Sequence, residues 1–403
     1  MPDQTRGATP DDSLRVKTGL ERALTAEVRQ LREGRVGLIS HPASVDAQLR
    51  HAVDVLADHP DIELTAIFGP QHGARGETQD NMIEWTDYRD PATGLPVFSL
   101  YGEHRKPTAE MLAEVDLLAF DLQDVGARYY TFIHTMALAM EACRENDKRM
   151  LILDRPNPIG GTAIEGHVLD PDFRSFVGLH PLAIRHGMTA GEIALYLNRE
   201  FRIGCRLEVA PMEGWRREQY FNETGLPWVL PSPNIPTLET AVVYPGLCLL
   251  EGTNVSEGRG TTRPFEISGA PWADPRRLVE ILDRFRLPGV RFRPLHFVPT
   301  FHKWAGEMIG GVQIHVHDRR SFEPFRTGIA LVMAYRELGG DAFRFNDPPY
   351  EYEYELLPFD ILCGTDRVRR GIEGGSTLDD IAAGWRKELE EFALVRRKYL
   401  LYE

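Results

Sequence analysis

The chain has 403 residues, of which 42% are hydrophobic and 26% are charged, the balance of a globular rather than a disordered protein. Its 60 acidic and 46 basic residues give a net charge of −14, which argues against a nucleic-acid or anionic-membrane surface. At roughly 150 residues per domain, the length predicts two or three domains.

The N-terminal residues are polar, and we interpret residues 1–13 as a flexible tail. They lack the apolar core of a secretory signal, and no apolar run approaches the roughly 20 residues of a membrane span. We therefore expect a cytoplasmic protein with neither a nucleic-acid nor a membrane partner. The four cysteines lie far apart with no C-x-x-C motif, which favours buried free thiols over disulfides or a zinc site.

Strand-like and helix-like runs alternate through the first half of the chain. The predicted strands are 35–40, 63–68, 97–100, 117–120 and 150–154. The predicted helices are 45–57, 107–115, 130–146 and 189–202. This alternation is typical of a doubly wound α/β domain with a mostly parallel sheet.

The pattern changes at residues 227–245, where five prolines disfavour a regular helix or a central strand. We interpret this stretch as an ordered segment crossing between two domains. The remainder has an α+β pattern, with strands predicted at 290–297 and 308–316 and helices at 275–285, 322–338 and 378–399. His315 and His317 alternate with apolar residues and are expected to face solvent, and the run 350–355 is interpreted as an edge or interface strand.

Polar, Gly-rich loops follow the second to fifth predicted strands, at the edge where open parallel sheets bind ligands. These loops supply the candidate substrate-binding residues His72, Arg75, Tyr101, Asp121, Gln123, Arg128, Tyr129, Asp154, Arg155 and Asn157. The later Gly-rich segment 251–266 adds Asn254, Glu257 and Arg259. Structural roles stay open for several of them, since Asp121 and Asp154 could cap turns and their neighbouring arginines could pair with them.

Paired carboxylates are the chemistry that this sequence best supports. It contains no G-x-S-x-G, Walker, G-x-G-x-x-G or H-E-x-x-H motif. A glycosidase needs one protonated carboxyl group and one carboxylate, and Glu77, Glu84, Glu165 and Glu257 have suitable polar surroundings. Two alternatives remain: a metal-dependent hydrolase using His72, Asp121, Asp124 and Asp154, and a non-catalytic saccharide-binding protein.

Eight motifs in sequence order, among them FGPQHGARGE, FDLQDVGARYYTFIHTM, LDRPNPIGG and EGTNVSEGRGTTRPFE, resemble the exo-β-N-acetylmuramidase family of NamZ-like glycoside hydrolases. The resemblance implies a Rossmann-like catalytic domain, placed at 14–237, and a smaller α+β domain, placed at 238–403, that closes the cleft. It implies release of terminal N-acetylmuramic acid from the non-reducing end of peptidoglycan fragments during cell-wall turnover, with a small saccharide or muropeptide as the substrate. It implies no cofactor and no obligatory metal.

Residue roles within this resemblance are assigned by position and chemistry. We predict Glu84 and Glu165 as the catalytic carboxylates, with Glu77 as a substitute. The lactyl carboxylate of the sugar needs a cation, for which the candidates are Arg75, Arg128 and Arg259. The oligomeric state is not indicated.

Overall fold

The computed structural model describes residues 15–25, 29–76, 78 and 82–403. Within these residues the strands are β1 Arg35–Ser40, β2 Glu63–Gly69, β3 Tyr88–Arg89, β4 Pro96–Ser99, β5 Leu117–Asp121, β6 Arg149–Leu153, β7 Glu165–Val168, β8 Ala183–Arg185, β9 Arg206–Ala210, β10 Ile267–Ala270, β11 Val290–Phe297 and β12 Ile309–Val316. The α-helices are α1 Gly19–Ala23, α2 Ala52–Ala57, α3 Phe132–Glu145, α4 Ala190–Glu200, α5 Leu238–Leu247, α6 Pro275–Arg284, α7 Pro324–Gly339, α8 Pro358–Cys363, α9 Arg367–Glu373, α10 Leu378–Ala383 and α11 Arg386–Arg396.

The central sheet has the strand order β3-β4-β2-β1-β5-β6-β9, and all neighbours except β3 and β4 pair in parallel. Counted along the chain, the parallel strands therefore run in the order 3-2-1-4-5-6, which is the Rossmann arrangement. The prediction of an α/β, Rossmann-like domain is confirmed.

The sequence folds this way because its strands are apolar on both faces. Leu118 and Phe120 of β5 belong to one buried hydrophobic cluster, whereas Leu117 and Ala119 of the same strand belong to another. The first cluster includes residues of α3 and α4, and the second includes residues of α1 and α2. A parallel sheet covered on both faces needs such continuous apolar strands.

The C-terminal half contains a smaller antiparallel sheet in the order β10-β12-β11. The cluster that contains Phe120 also contains Phe325 of α7 and Phe359 of α8, so the two halves share one core. Helices α5 and α7 approach closely, since a Cβ on Gly246 would lie 1.8 Å from the carbonyl oxygen of Pro324. This contact fixes α5 and, on it, Tyr244, which lines the cleft described below.

Several predicted elements need correction. The predicted helix 45–57 is helical only over Ala52–Ala57, and residues 107–115 form turns. The prolines of 227–245 did not prevent a helix, because α5 begins at Leu238 and contains Pro245 near its end, where a single backbone N–H is lost. The predicted helix 378–399 is divided into α10, α11 and a short 3₁₀ turn.

Other expectations for the second half gave mixed results. His315 and His317 are exposed, as predicted. The edge strand predicted at 350–355 is wrong, since the segment forms turns. All four cysteines are buried free thiols, which confirms that prediction. No helix in the described part of the chain has both the length and the apolar character needed to cross a bilayer.

Candidate active site

The crevice between β1 and β5, where doubly wound domains usually bind ligands, is occupied by the chain itself. Nε2 of His41, directly after β1, accepts a hydrogen bond of 2.8 Å from the backbone N–H of Gln123. Nδ1 of His41 lies 3.1 Å from the carbonyl oxygen of Pro231, to which it donates. Burial and the nearby Arg155 keep the pKa of His41 well below its usual value, so the ring is neutral. The crossing segment therefore covers this crevice.

A cleft lies beside the crevice, where residues after β2 meet segments of the C-terminal half. Gln71 and His72 come from the N-terminal half, and Glu251, Arg259 and Glu351 come from the C-terminal half. The cavity has a volume of about 30 Å³, which is room for a water molecule. A ligand as large as a sugar ring does not fit inside this cavity.

Glu351 is held in the wall of the cleft by an unusual backbone. Glu351 has a φ of 44° and Tyr352 a φ of 67°, so two consecutive non-glycine residues are left-handed. His72, on the facing loop, has a φ of 73°. Such conformations cost of order 1–3 kcal/mol each and cluster at functional sites.

Glu351 is 4% exposed, and both of its carboxyl oxygens are hydrogen-bonded. Tyr101 Oη donates to Oε2 over 2.8 Å, and Gln71 Nε2 donates to Oε1 over 3.4 Å. Burial raises the pKa of Glu351 to about 7, and the charge of Glu251 adds to the shift, although the hydrogen bond from Tyr101 opposes it. Glu351 therefore holds a proton that it can donate near neutral pH.

Glu251 is the second carboxylate of the cleft and lies on the 3₁₀ turn Cys248–Gly252. One oxygen accepts from the Arg259 guanidinium over 2.7 Å, and the other accepts from Tyr350 Oη over 2.6 Å. These charge-assisted contacts stabilise a carboxylate. The cleft thus holds one carboxyl group with a raised pKa beside one carboxylate bound to an arginine.

Of the predicted site residues, His72 and Arg259 line the cleft, and Tyr101 bonds to Glu351. Glu257 is fully buried, and its Oε1 lies 3.4 Å from Nε of Arg259. Lys303 Nζ lies 2.9 Å from its other oxygen, and these cations lower the pKa of Glu257 although burial opposes them. In this structure Glu257 is an ion-pair partner of Arg259 and Lys303.

Asp121, Gln123, Asp154 and Arg155 lie near the crevice and bond within the fold. Asp121 accepts two hydrogen bonds from Arg155, of 2.6 and 2.8 Å, which is the pairing left open by the sequence. The side-chain amide of Gln123 donates to two backbone carbonyl oxygens. Asp154 is fully buried and accepts from Thr189 and Tyr402, and burial raises its pKa to about 6.

Arg75 and Arg128 do not line the cleft. Arg75 pairs with Asp54 and Asp90 at 2.7 and 2.6 Å. Arg128 is fully buried and donates to the backbone carbonyls of residues 167, 182 and 362. Both arginines therefore stabilise the fold.

Tyr129, Asn157 and Asn254 likewise have structural partners. Tyr129 is buried and donates to the carbonyl oxygen of Pro245. Asn157 and Asn254 donate to backbone carbonyl oxygens over 2.9 and 2.8 Å. None of these three residues lines the cleft.

The structure separates the carboxylates predicted as the catalytic pair. Glu84 is exposed and accepts a hydrogen bond of 2.9 Å from Tyr352 Oη. Tyr352 is the residue that follows Glu351 in the chain. Glu165 lies on β7 and lines a different cavity, between α7, α10 and α11. Glu77 lies outside the described residues.

Sequence reasoning missed Glu351, Glu251, Gln71 and Tyr350. The alternating run that contains Glu351 was interpreted as an edge or interface strand rather than as part of a site. Glu251 is the first residue of the motif EGTNVSEGRGTTRPFE, so the motif was a usable signal. A local sequence pattern cannot show that Glu251 is buried or that it lies close to Glu351, which is 100 positions later in the chain.

The residues considered for a metal site do not converge. Asp124 lies 3.2 Å from His186 and accepts from the backbone of Gly126, whereas Asp121 and Asp154 have the partners given above. Across residues 15–25, 29–76, 78 and 82–403, no three His, Cys, Asp or Glu side chains are grouped to hold a metal ion.

Two carboxyl groups in different environments, one protonated near neutrality and one held by an arginine, are the arrangement that the glycosidase class of hydrolases uses. Comparison with known proteins specifies this class further. Residues 36–239 match the family described as "Exo-beta-N-acetylmuramidase NamZ, N-terminal", and residues 242–402 match its C-terminal counterpart. The chain belongs to this exo-β-N-acetylmuramidase family and is a glycosidase.

Individual relatives agree with the family. A protein of Bacillus subtilis (strain 168), "Peptidoglycan beta-N-acetylmuramidase NamZ", is 47% identical over 391 residues, which cover 96% of this chain and 92% of the relative. A crystal structure of a DUF1343 family protein from Bacteroides fragilis NCTC 9343 superposes with a TM-score of 0.89 at 37% identity, covering 97% of this chain and 100% of that one. A second one from the same organism has a TM-score of 0.76 at 32% identity, covering 96% and 99%.

Proposed function

We propose that the protein hydrolyses the bond of a terminal β-linked N-acetylmuramic acid in this cleft, with Glu351 as general acid and Glu251 as the second carboxylate. The observation that carries the assignment is the raised pKa of Glu351, about 7, beside a second buried carboxylate. Such a difference in environment assigns acid and base roles in other glycosidases. The substrate class is supported by the 47% identical relative, whose name describes a peptidoglycan β-N-acetylmuramidase.

Each contact has a function in this reaction. Glu351 donates its proton to the departing glycosidic oxygen and becomes a carboxylate while the bond from that oxygen to the anomeric carbon breaks. The hydrogen bonds from Tyr101 and Gln71 then stabilise the new charge. Glu251, oriented by Arg259 and Tyr350, supplies negative charge for the positive sugar ring of the transition state. A water molecule supplies the hydroxyl group that the anomeric carbon gains and the proton that restores Glu351.

The first experiment compares release of 4-nitrophenol from 4-nitrophenyl β-N-acetylmuramide and from the matching β-N-acetylglucosaminide. We expect release from the muramide and at least about tenfold slower release from the glucosaminide, because a missing carboxylate leaves its protein partner unpaired. Equal release from both would contradict specificity for the muramide. Release from neither, nor from a longer peptidoglycan fragment, would contradict the function.

The family match does not give the size of the substrate, other partners or the cellular location of the protein, and we propose these separately. We infer a small saccharide or muropeptide as the substrate, with no nucleic-acid or membrane partner, on the basis of the net charge of −14. We also infer a cytoplasmic location, supported by four cysteines that are buried free thiols. Fractionation of the native cells with an antibody to this chain tests the location, and its recovery outside the cytoplasm would contradict the proposal.

A further inference from the structure

A second cavity shares Glu351 with the catalytic cleft. This cavity, called the side cavity here, has a volume of about 360 Å³ and contains Arg105, Lys106, Ser175, Glu351 and Tyr352 in its wall. Glu351 contributes to the walls of both cavities. A group bound in the side cavity is therefore adjacent to the proposed general acid.

Arg105 differs from the other cations near the cleft. Among the residues that the structure describes, it has no carboxylate within 4.0 Å, and its Nε is buried without a hydrogen-bond partner. Its guanidinium carbon lies 3.4 Å from the centre of the Tyr352 ring. Stacking on a ring face orients a guanidinium while leaving its edge available for a carboxylate.

The neighbouring cation, Lys106, has partners within the chain. Its Nζ lies 2.7 Å from Glu145 and 3.4 Å from Glu141, which neutralise it. The three arginines favoured by the sequence are likewise satisfied. Arg75 and Arg259 each contact two carboxylates, and Arg128 donates to backbone carbonyls.

The acidic residues of the side cavity do not oppose an anionic ligand strongly. Glu353 accepts hydrogen bonds of 2.8 and 3.2 Å from the backbone N–H groups of Glu355 and Leu356. Glu351 keeps its proton up to a pKa of about 7 because of burial. The charge that an incoming carboxylate meets first is therefore that of Arg105.

We propose that Arg105 binds the lactyl carboxylate of the terminal N-acetylmuramic acid in the side cavity, so that Arg105 determines specificity for muramic acid. The inference rests on the proposed function. It differs from that function in naming the group that recognises the lactyl ether, which distinguishes N-acetylmuramic acid from N-acetylglucosamine. A bidentate guanidinium–carboxylate contact is among the strongest polar contacts that a ligand can make.

Steady-state kinetics on two substrates tests the inference. The first is 4-nitrophenyl β-N-acetylmuramide, and the second is its lactyl methyl ester, which has no negative charge. For the wild type we expect a KM about 10- to 100-fold higher for the ester than for the acid, in line with the strength of hydrogen bonds to charged groups. Arg105→Gln should raise the KM for the acid by a similar factor, leave the KM for the ester within about threefold and leave kcat within about threefold.

Matched variants separate this function from a structural one. Lys106→Gln should change either KM by less than about threefold, because the charge of Lys106 is already neutralised. Arg105→Lys retains the charge and should give an intermediate KM for the acid, and it replaces Arg105→Gln if thermal melting shows that the glutamine variant does not fold. Equal effects of Arg105→Gln on acid and ester, or an equal effect of Lys106→Gln, would overturn the inference. A wild type inactive on both substrates and on longer fragments would instead overturn the proposed function.

Discussion

Glu351 and Glu165 are two glutamates whose carboxyl pKa burial raises to about 7. Glu351 faces a second carboxylate and two side-chain donors, whereas the donors to Glu165 are backbone N–H groups, that of Arg326 at 2.8 Å and that of Phe325. The cavity beside Glu165 is larger, about 490 Å³ against 30 Å³, but its Arg326 already pairs with Glu323 and Asp379.

Neither a raised pKa nor a large cavity therefore identifies a catalytic acid by itself. Burial alone raises the pKa of any carboxyl group. A catalytic site needs several groups directed at one reacting bond. In the Glu351 cleft, two side-chain donors contact the acid, and the neighbouring carboxylate of Glu251 is fixed by Arg259 and Tyr350. Four substitutions test this contrast between Glu351 and Glu165.

Replacing Glu351 should have the largest effect. Glu351→Gln keeps the shape and removes the proton that the leaving group needs, so we expect kcat to fall by about 10²- to 10⁴-fold. The measurement is release of N-acetylmuramic acid from a β-linked muramyl disaccharide, because its sugar leaving group needs the proton whereas 4-nitrophenolate does not, with circular dichroism to show intact folding. Activity within threefold of the wild type would remove Glu351 from the mechanism and reopen the function of Glu84.

Replacing Glu251 should reduce activity and stability together. Glu251→Gln removes the charge that faces the sugar, and kcat should fall by about 10²-fold or more. It also leaves buried Arg259 with Glu257 as its remaining carboxylate contact, which should lower the melting temperature. Glu218→Gln, an exposed surface change, is the control for handling and assay. An unchanged kcat would show that Glu351 acts without Glu251.

The fold could be predicted from the sequence because its signals are local. The predicted strand 290–297 coincides with β11, and 63–68 differs from β2 by one residue, since apolar periodicity is set by burial on the sheet faces. The site could not be predicted equally well. The alternating tyrosines and glutamates around Glu351 have the period of a strand, but the segment is a turn whose backbone is left-handed at Glu351 and Tyr352.

Partnerships between distant residues were a second obstacle. Arg75 and Arg105 are both loop arginines in the same part of the sequence, but Arg75 meets Asp54 and Asp90, whereas Arg105 stacks on Tyr352, about 250 positions away. No local pattern indicates which arginine is satisfied by the fold. The pairing of Asp121 with Arg155 was foreseen only as one of two alternatives.

Glu165→Gln should affect stability rather than turnover. The pKa of Glu165 is raised from 4.5 to about 7, chiefly by burial, so the folded state binds its proton more tightly than the unfolded state. The stability that this proton supplies is present below about pH 4.5 and is lost as pH rises towards 7. Between pH 4.5 and pH 8 the wild type should lose about 3 kcal/mol of unfolding free energy that the variant keeps, measured by urea unfolding at both pH values. The kcat of the variant should stay within about twofold of the wild type. A loss of kcat by 10²-fold would instead make Glu165 catalytic.

Tyr101→Phe should have the smallest effect, a displacement of the pH profile. Activity requires protonated Glu351, so kcat/KM should fall as pH rises through about 7. The Tyr101 hydroxyl donates to the ionised carboxylate and lowers its pKa, which means that removing the hydroxyl should move the basic limb upwards by up to about one pH unit. Tyr335→Phe removes a buried hydroxyl that bonds to Ser268, away from any carboxylate, and should leave the limb in place. A limb that stays fixed in Tyr101→Phe would show that a group other than Glu351 sets the pH dependence, because no other hydroxyl donates to Glu351 within the described residues.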